Sequence, residues 1–175
     1  MESAGLAFEV IAADVDETPM PGETPEALVE RLAKSKAAAV CDGDARGFTV
    51  LAADTIVELD GRILGKPRDA GDARAMLLDL SGRAHQVLTG VCVMDGRRTH
   101  SGIERTEVRF AVIGEAEIAA YVATGEPMDK AGAYHIDGRA AAYVSGIVGS
   151  PSNVAGLPIA LAIRLLREAG FPVSG

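Results

Sequence analysis

The sequence predicts a mixed α/β (α+β) sheet flanked by helices. Three observations carry that prediction. Strand-like and helix-like stretches alternate along the 175 residues; Asp60-Gly61 and Asp95-Gly96 stand where two-residue hairpin turns belong; and Thr106, Val108 and Phe110 alternate with Glu107 and Arg109, the period of a strand with one wet face. Hairpins of this kind favour antiparallel pairing over a regular βαβ series.

Phe8 to Ala12 reads as a short strand, and Glu17 to Thr24 as a loop by its Pro and Gly content. Thr24 is an N-cap with Pro25 at the first helical position, opening a helix to about Val40. Phe48 to Leu59 is strand-like, and Arg62 to Gly65 returns after the Asp60-Gly61 turn. Asp69 caps a helix whose Ala73, Met76, Leu77 and Leu80 share one face, ending at Gly82. A strand from Val87 to Met94 turns at Asp95-Gly96, and Arg97 onward returns. A helix from about Glu115 is stopped after Thr124 by Gly125, a strand covers about Ala142 to Val148, and a last helix runs from about Leu157 to Ala169 before Gly170. The expected organisation is one domain over residues 1–175.

With 48% apolar and 24% charged residues the chain is neither disordered nor fibrous. Its apolar stretches fall short of the ~18 residues of a membrane span, and the acidic start has no signal-peptide pattern, so a cytoplasmic location and no membrane partner are expected. A net charge of −8 argues against nucleic-acid polymers, although a few converging lysines still suit a small anion. Cys41 and Cys92 lack any metal-binding spacing and read as buried thiols in a reducing compartment.

Function is best sought where the local pattern is broken. At 100° per residue, Lys36 lies about 20° from Val29 and about 40° from Leu32, so it projects from the apolar face of its helix, whereas Lys34 points to solvent. Two readings stay open: Lys36 snorkels from the edge of the stripe, or its ammonium reaches an anion. Asp54 interrupts an apolar run, Thr49 to Val57, and needs a partner, backbone amides or a metal. With a turn at Asp60-Gly61, facing residues sum to 121, so Lys66 stands opposite Thr55 and beside Asp54, with a bulge or loop onset near Gly65 needed for convergence. Asp14-Val-Asp-Glu17 is an acidic cluster after the first strand, a common loop composition that also suits Mg2+ or Mn2+. Lysines at 36 and 66 with carboxylates at 17 and 54 suit phosphoanhydride cleavage. Gly149 to Asn153 is read as a capped turn rather than a phosphate site, and nothing favours His85, His100 or His135 as the base of a covalent mechanism.

Taken in order, Asp14-Val-Asp-Glu17, Leu32-Ala-Lys-Ser-Lys-Ala37, Ala53-Asp-Thr55, Gly61-Arg-Ile-Leu-Gly-Lys-Pro67, Leu80-Ser-Gly-Arg-Ala-His85, Thr89-Gly-Val91, Gly125 to Tyr134 and Asn153 to Pro158 resemble the Maf family of nucleotide pyrophosphatases. The resemblance implies an elongated, strongly twisted mixed sheet with a cleft between two lobes. It implies hydrolysis of a nucleoside triphosphate to monophosphate and pyrophosphate with a divalent cation, and a homodimer. Asp54 would accept the proton of the attacking water, Glu17 and Asp54 would hold the metal, Lys36 and Lys66 would bind phosphates, and Thr55 matches the branch preferring dTTP and UTP.

Two departures stand out. That branch has Gln, for base recognition, where Asp137 stands in Tyr134-His-Ile-Asp-Gly138; an ionised Asp only accepts hydrogen bonds where Gln both donates and accepts, so the expected substrates are dTTP and UTP or modified nucleotides. Family members also open with a strand and a Ser/Arg phosphate loop, whereas Met1 to Leu6 resembles the last turn of the following helix. The expectation is therefore a chain truncated at its N-terminus relative to the family, either through a misassigned start or through a real loss. An unpaired sheet position and reduced stability would follow. The alternatives to the enzyme are a catalytically impaired nucleotide-binding regulator of the same family and an unrelated acidic binding module.

Overall fold

The computed structural model describes residues 7–43, 47–96 and 98–173. Five strands, β1 (Val50–Leu59), β2 (Arg62–Leu64), β3 (Ala84–Met94), β4 (Thr99–Phe110) and β5 (Val144–Val148), form one open antiparallel sheet in the order β2-β1-β3-β4-β5. The mixed sheet expected above is thus refined to an antiparallel one flanked by helices. No strand forms over Phe8–Ala12: residues 7–20 have no regular structure, and Phe8 and Val10 are exposed. Alternation in a short segment supplies no hydrogen-bond partner, and without one the chain stays extended loop. The helical reading of Met1–Leu6 and the place of Arg97 lie outside the described residues. Among the described residues no helix is long and apolar enough to cross a membrane.

The chain divides into two compact units, Met1–Asp54 with Thr89–Glu104 and Gly156–Gly175, and Thr55–Leu88 with Arg105–Ala155. In the first, α1 (Pro25–Asp42) opens at Thr24, whose hydroxyl accepts from Ala27 N at 3.2 Å, with Pro25 at the first position. Leu28, Val29, Leu32, Ala33 and Ala37 form its buried face. The helix can sit close to β3 because residue 90 is glycine: a Cβ there would stand 2.2 Å from the Val29 carbonyl oxygen. The helix α5 (Ile159–Glu168) buries Leu161, Ala162, Leu165 and Leu166 against Val91 and Val93. Cys92 is buried, and burial pushes its thiol up to about 11; Cys41 is half-buried, and both are free thiols.

In the second unit the β1–β2 hairpin has the register that its turn dictates, Val57↔Leu64, Glu58↔Ile63 and Leu59↔Arg62. Asp60 and Gly61 both have positive φ, 51° and 78°, as the two-residue hairpin turn requires. The helix α2 (Ala70–Leu80) starts at Asp69, whose carboxylate accepts from Asp72 N at 2.8 Å, and buries Ala73, Leu77 and Leu80. They join Val57, Leu59, Val87, Val108, Phe110 and, from α3 (Glu115–Val122), Ile118 and Tyr121 in one core. Thr106, Val108 and Phe110 are buried and Arg109 is exposed, as the alternation predicts. The strand β5 is shorter than expected because Arg139–Tyr143 winds into a 3-10 turn. Gly149 to Asn153 is a capped turn: Ser150 caps the four-residue α4 (Pro151–Val154), and the buried Asn153 amide donates to Val87 O and Thr106 Oγ1, both at 3.0 Å.

Candidate active site

The site grows from the two positions where the apolar pattern breaks. Lys36 lies two helical turns beyond Val29, on the buried side of α1, and its side chain is 20% exposed, against 45% for Lys34. Its Nζ donates to Asp54 Oδ1 at 2.6 Å and lies 2.7 Å from Glu17 Oε1. Asp54, at the middle of β1, is 8% exposed, so its charge is withdrawn from bulk water and held by the ammonium. Burial works against the charge on Lys36; the hydrogen bonds to Asp54 and Glu17 outweigh it, and the net effect raises the lysine above its usual range. One half-buried cation thus stands between two carboxylates, and the edge-snorkelling reading of Lys36 gives way to a paired one.

Glu17 belongs to a loop without secondary structure, yet that loop is tied down. Arg31, on α1, donates from Nε to Glu23 Oε1 at 2.7 Å and from Nη2 to Glu23 Oε2 at 2.9 Å and to Thr18 O at 3.0 Å. Glu23 Oε2 also accepts from Met20 N at 2.9 Å. The Arg31 guanidinium, with Met20 N, holds the Glu23 carboxyl down at about 2. A bidentate fork of this kind fixes direction as well as distance.

Thr55, Lys66 and Asp137 belong to the second unit. Thr55 is half-buried and follows Asp54 directly on β1. The ladder does not carry Lys66 to a position opposite Thr55: β2 ends at Leu64, and the Gly65 carbonyl accepts instead from Gly132 N at 3.0 Å. Lys66 is therefore an exposed loop residue, at the loop onset that convergence required. Lys130 pairs with Asp129 at 2.9 Å, and the Asp129 carboxyl is held below its usual range by Lys130 first, with a smaller contribution from Lys66. Asp137 is exposed in a turn between two 3-10 segments.

Among the described residues no group of three His, Cys, Asp or Glu side chains is placed to hold a metal. Glu17 and Asp54 nonetheless present hard oxygen donors that converge on one point, the Lys36 ammonium. Such a pair fits Mg2+ or Mn2+, which take one or two carboxylates and complete their shell with water and substrate phosphate.

A family model described as Maf-like protein matches residues 1–169. The chain belongs to the Maf family. It is 54% identical to a protein named dTTP/UTP pyrophosphatase from Anaeromyxobacter sp. (strain Fw109-5), over 99% of this chain and 84% of the relative. A protein of the same name from Anaeromyxobacter dehalogenans (strain 2CP-C) is 56% identical over 97% of this chain and 87% of its own length. One from Aromatoleum aromaticum (strain DSM 19018 / LMG 30748 / EbN1) is 49% identical over 99% and 90%. In this Maf chain sequence reasoning passed over Arg31 and Glu23, whose signal is a basic residue about two turns past a capped start, facing back to the loop. It also gave no individual role to Asp129 and Lys130, neighbours at the junction of two 3-10 segments.

Proposed function

We propose that this chain hydrolyses nucleoside triphosphates to the monophosphate and pyrophosphate. The observation that carries the reading is the Lys36 ammonium held between the buried Asp54 and the more exposed Glu17. Asp54 accepts the proton of a water that attacks the α-phosphorus; the new P–O bond forms as the bond to the pyrophosphate oxygen breaks, and the charge leaves with pyrophosphate. Lys36 orients Asp54 and meets the phosphates, which compete with Glu17 for its remaining N–H groups. A divalent ion, when bound, neutralises phosphate charge, and Glu17 and Asp54 are the residues that would hold it. Lys66, an exposed loop residue, supplies a second positive charge to the phosphates.

Thr55 and Asp137 face the base in this reading. The names of the relatives support dTTP and UTP as substrates. Asp137 extends that class to modified nucleotides, because an ionised carboxylate offers acceptors only where Gln both donates and accepts. A cytoplasmic setting and a homodimer that binds neither nucleic-acid polymers nor membranes complete the proposal. The test is pyrophosphate release from a panel of ribo- and deoxynucleoside triphosphates with Mg2+ or Mn2+. Wild type is expected to release pyrophosphate, and Asp54→Asn to lose about 10³-fold. Release from no nucleotide would overturn the function; an equally active Asn variant would remove Asp54 from the chemistry.

A further inference from the structure

The turn that carries Asp137 is fastened on both sides by two residues with no assigned role. Tyr121, buried at the end of α3, donates its hydroxyl to Glu126 Oε1 at 3.0 Å and accepts from His135 N at 3.1 Å. The same Glu126 oxygen accepts from Arg139 N at 3.0 Å. Gly138 N closes the turn onto His135 O at 3.0 Å. Glu126 also explains the glycine: a Cβ on residue 138 would stand 2.2 Å from Glu126 Oε1. Just before the turn, the Tyr134 hydroxyl meets His85 Nε2 at 2.9 Å, with the Tyr134 ring edge-on to Phe110.

The backbone is thus pinned at His135, Gly138 and Arg139, and only Ile136 and Asp137 lie between the pins. Burial pushes the Tyr121 phenol above its usual range, so it stays a neutral donor across the working pH. A hydroxyl that both donates and accepts couples the two sides of the turn, so loss of either partner loosens both.

We propose that Tyr121 and Glu126 are positioning residues that fix the direction of Asp137 and so set nucleobase selectivity without touching the nucleotide. The proposal rests on the reading of Asp137 as a base-facing residue. Its two predictions are separable. Removing the hydroxyl in Tyr121→Phe leaves His135 N–H without its acceptor. Glu126→Ala leaves Arg139 N–H in the same state, whereas Glu126→Gln keeps an acceptor oxygen in place.

Amide hydrogen exchange is the first measurement. Exchange at His135 and Arg139 is expected to rise about tenfold or more in Tyr121→Phe and Glu126→Ala and to stay near wild type in Glu126→Gln. The second is the ratio of kcat/KM for dTTP over dGTP. Both disruptive variants should change it by about fivefold through KM, with kcat within about twofold, and Glu126→Gln should restore it. Unchanged exchange overturns the clamp whatever the enzyme does. Faster exchange with an unchanged ratio overturns its role in selectivity; if Asp137→Ala does change the ratio, the base-facing reading of Asp137 survives that failure. A ratio unmoved by Asp137→Ala overturns that reading, and the selectivity proposal with it.

Discussion

Glu17, Lys36 and Asp54, in the first unit, are held by charge: one ammonium serves two carboxylates at 2.7 and 2.6 Å. The Asp137 turn, in the second unit, is held by backbone N–H groups donating to Tyr121 and Glu126. Ion pairs around a single cation can exchange partners when a phosphate arrives, because the incoming anion replaces one carboxylate with another acceptor of the same sign. Backbone N–H groups have no such substitute and keep their geometry through the cycle. In the proposed function, one region would be rearranged by its ligand and the other would stay put.

The most severe way to break this contrast is to remove the shared cation. Lys36→Met leaves Asp54 and Glu17 without the charge between them, and kcat/KM for pyrophosphate release should fall about 10²-fold, roughly 3 kcal/mol. If Lys34→Met costs as much, the helix face carries no meaning.

A comparable effect is expected from acid on the second unit. His85 is 2% exposed, its Nδ1 has no partner among the described residues, and burial holds its pKa down at about 4 against 6.5. The unfolded chain therefore binds more protons between about pH 6.5 and 4, and stability falls as pH drops through that window. Urea titrations of wild type and His85→Gln should diverge by about 3 kcal/mol on going from pH 7 to 4, wild type losing more. Parallel curves would show that the ring is charged or solvated in the fold.

Asn153→Ala comes next: it leaves Val87 O and Thr106 Oγ1 without the buried amide that serves them and should cost about 2 kcal/mol in the same titration. Lys34→Ala, which removes an exposed helical pair with Glu30 at 2.8 Å, should cost about 0.3 kcal/mol and leave turnover unchanged. A loss above about 1 kcal/mol there would mean that this surface pair contributes more than an exposed helical ion pair should.

Local rules made much of this legible. The two-residue turn gave the hairpin register, the 100° step separated Lys36 from Lys34, and the break in an apolar run marked Asp54. Each depends on neighbours within a few residues. What stayed hidden depends on distant partners. The Phe8–Ala12 segment has a strand's pattern and no strand to pair with. Lys66 leaves the ladder because Gly132, far along the chain, takes the Gly65 carbonyl. The Glu23–Arg31 fork and the Tyr121–Glu126 pair look like ordinary helix-end residues until the fold is known. Asp137 was visible only as a departure from a family pattern; what points it is read from the structure alone.

The missing side chain at residue 90 reaches further than its size suggests. Val29, whose carbonyl occupies the space a methyl group would need, and Lys36 lie seven residues apart on the same face of one helix. The helix works as a lever resting on the β3 backbone, and glycine sets the height of the fulcrum. An alanine there would tilt the lever, and the ammonium at its far end would lift from Asp54 although no residue of the site had been changed.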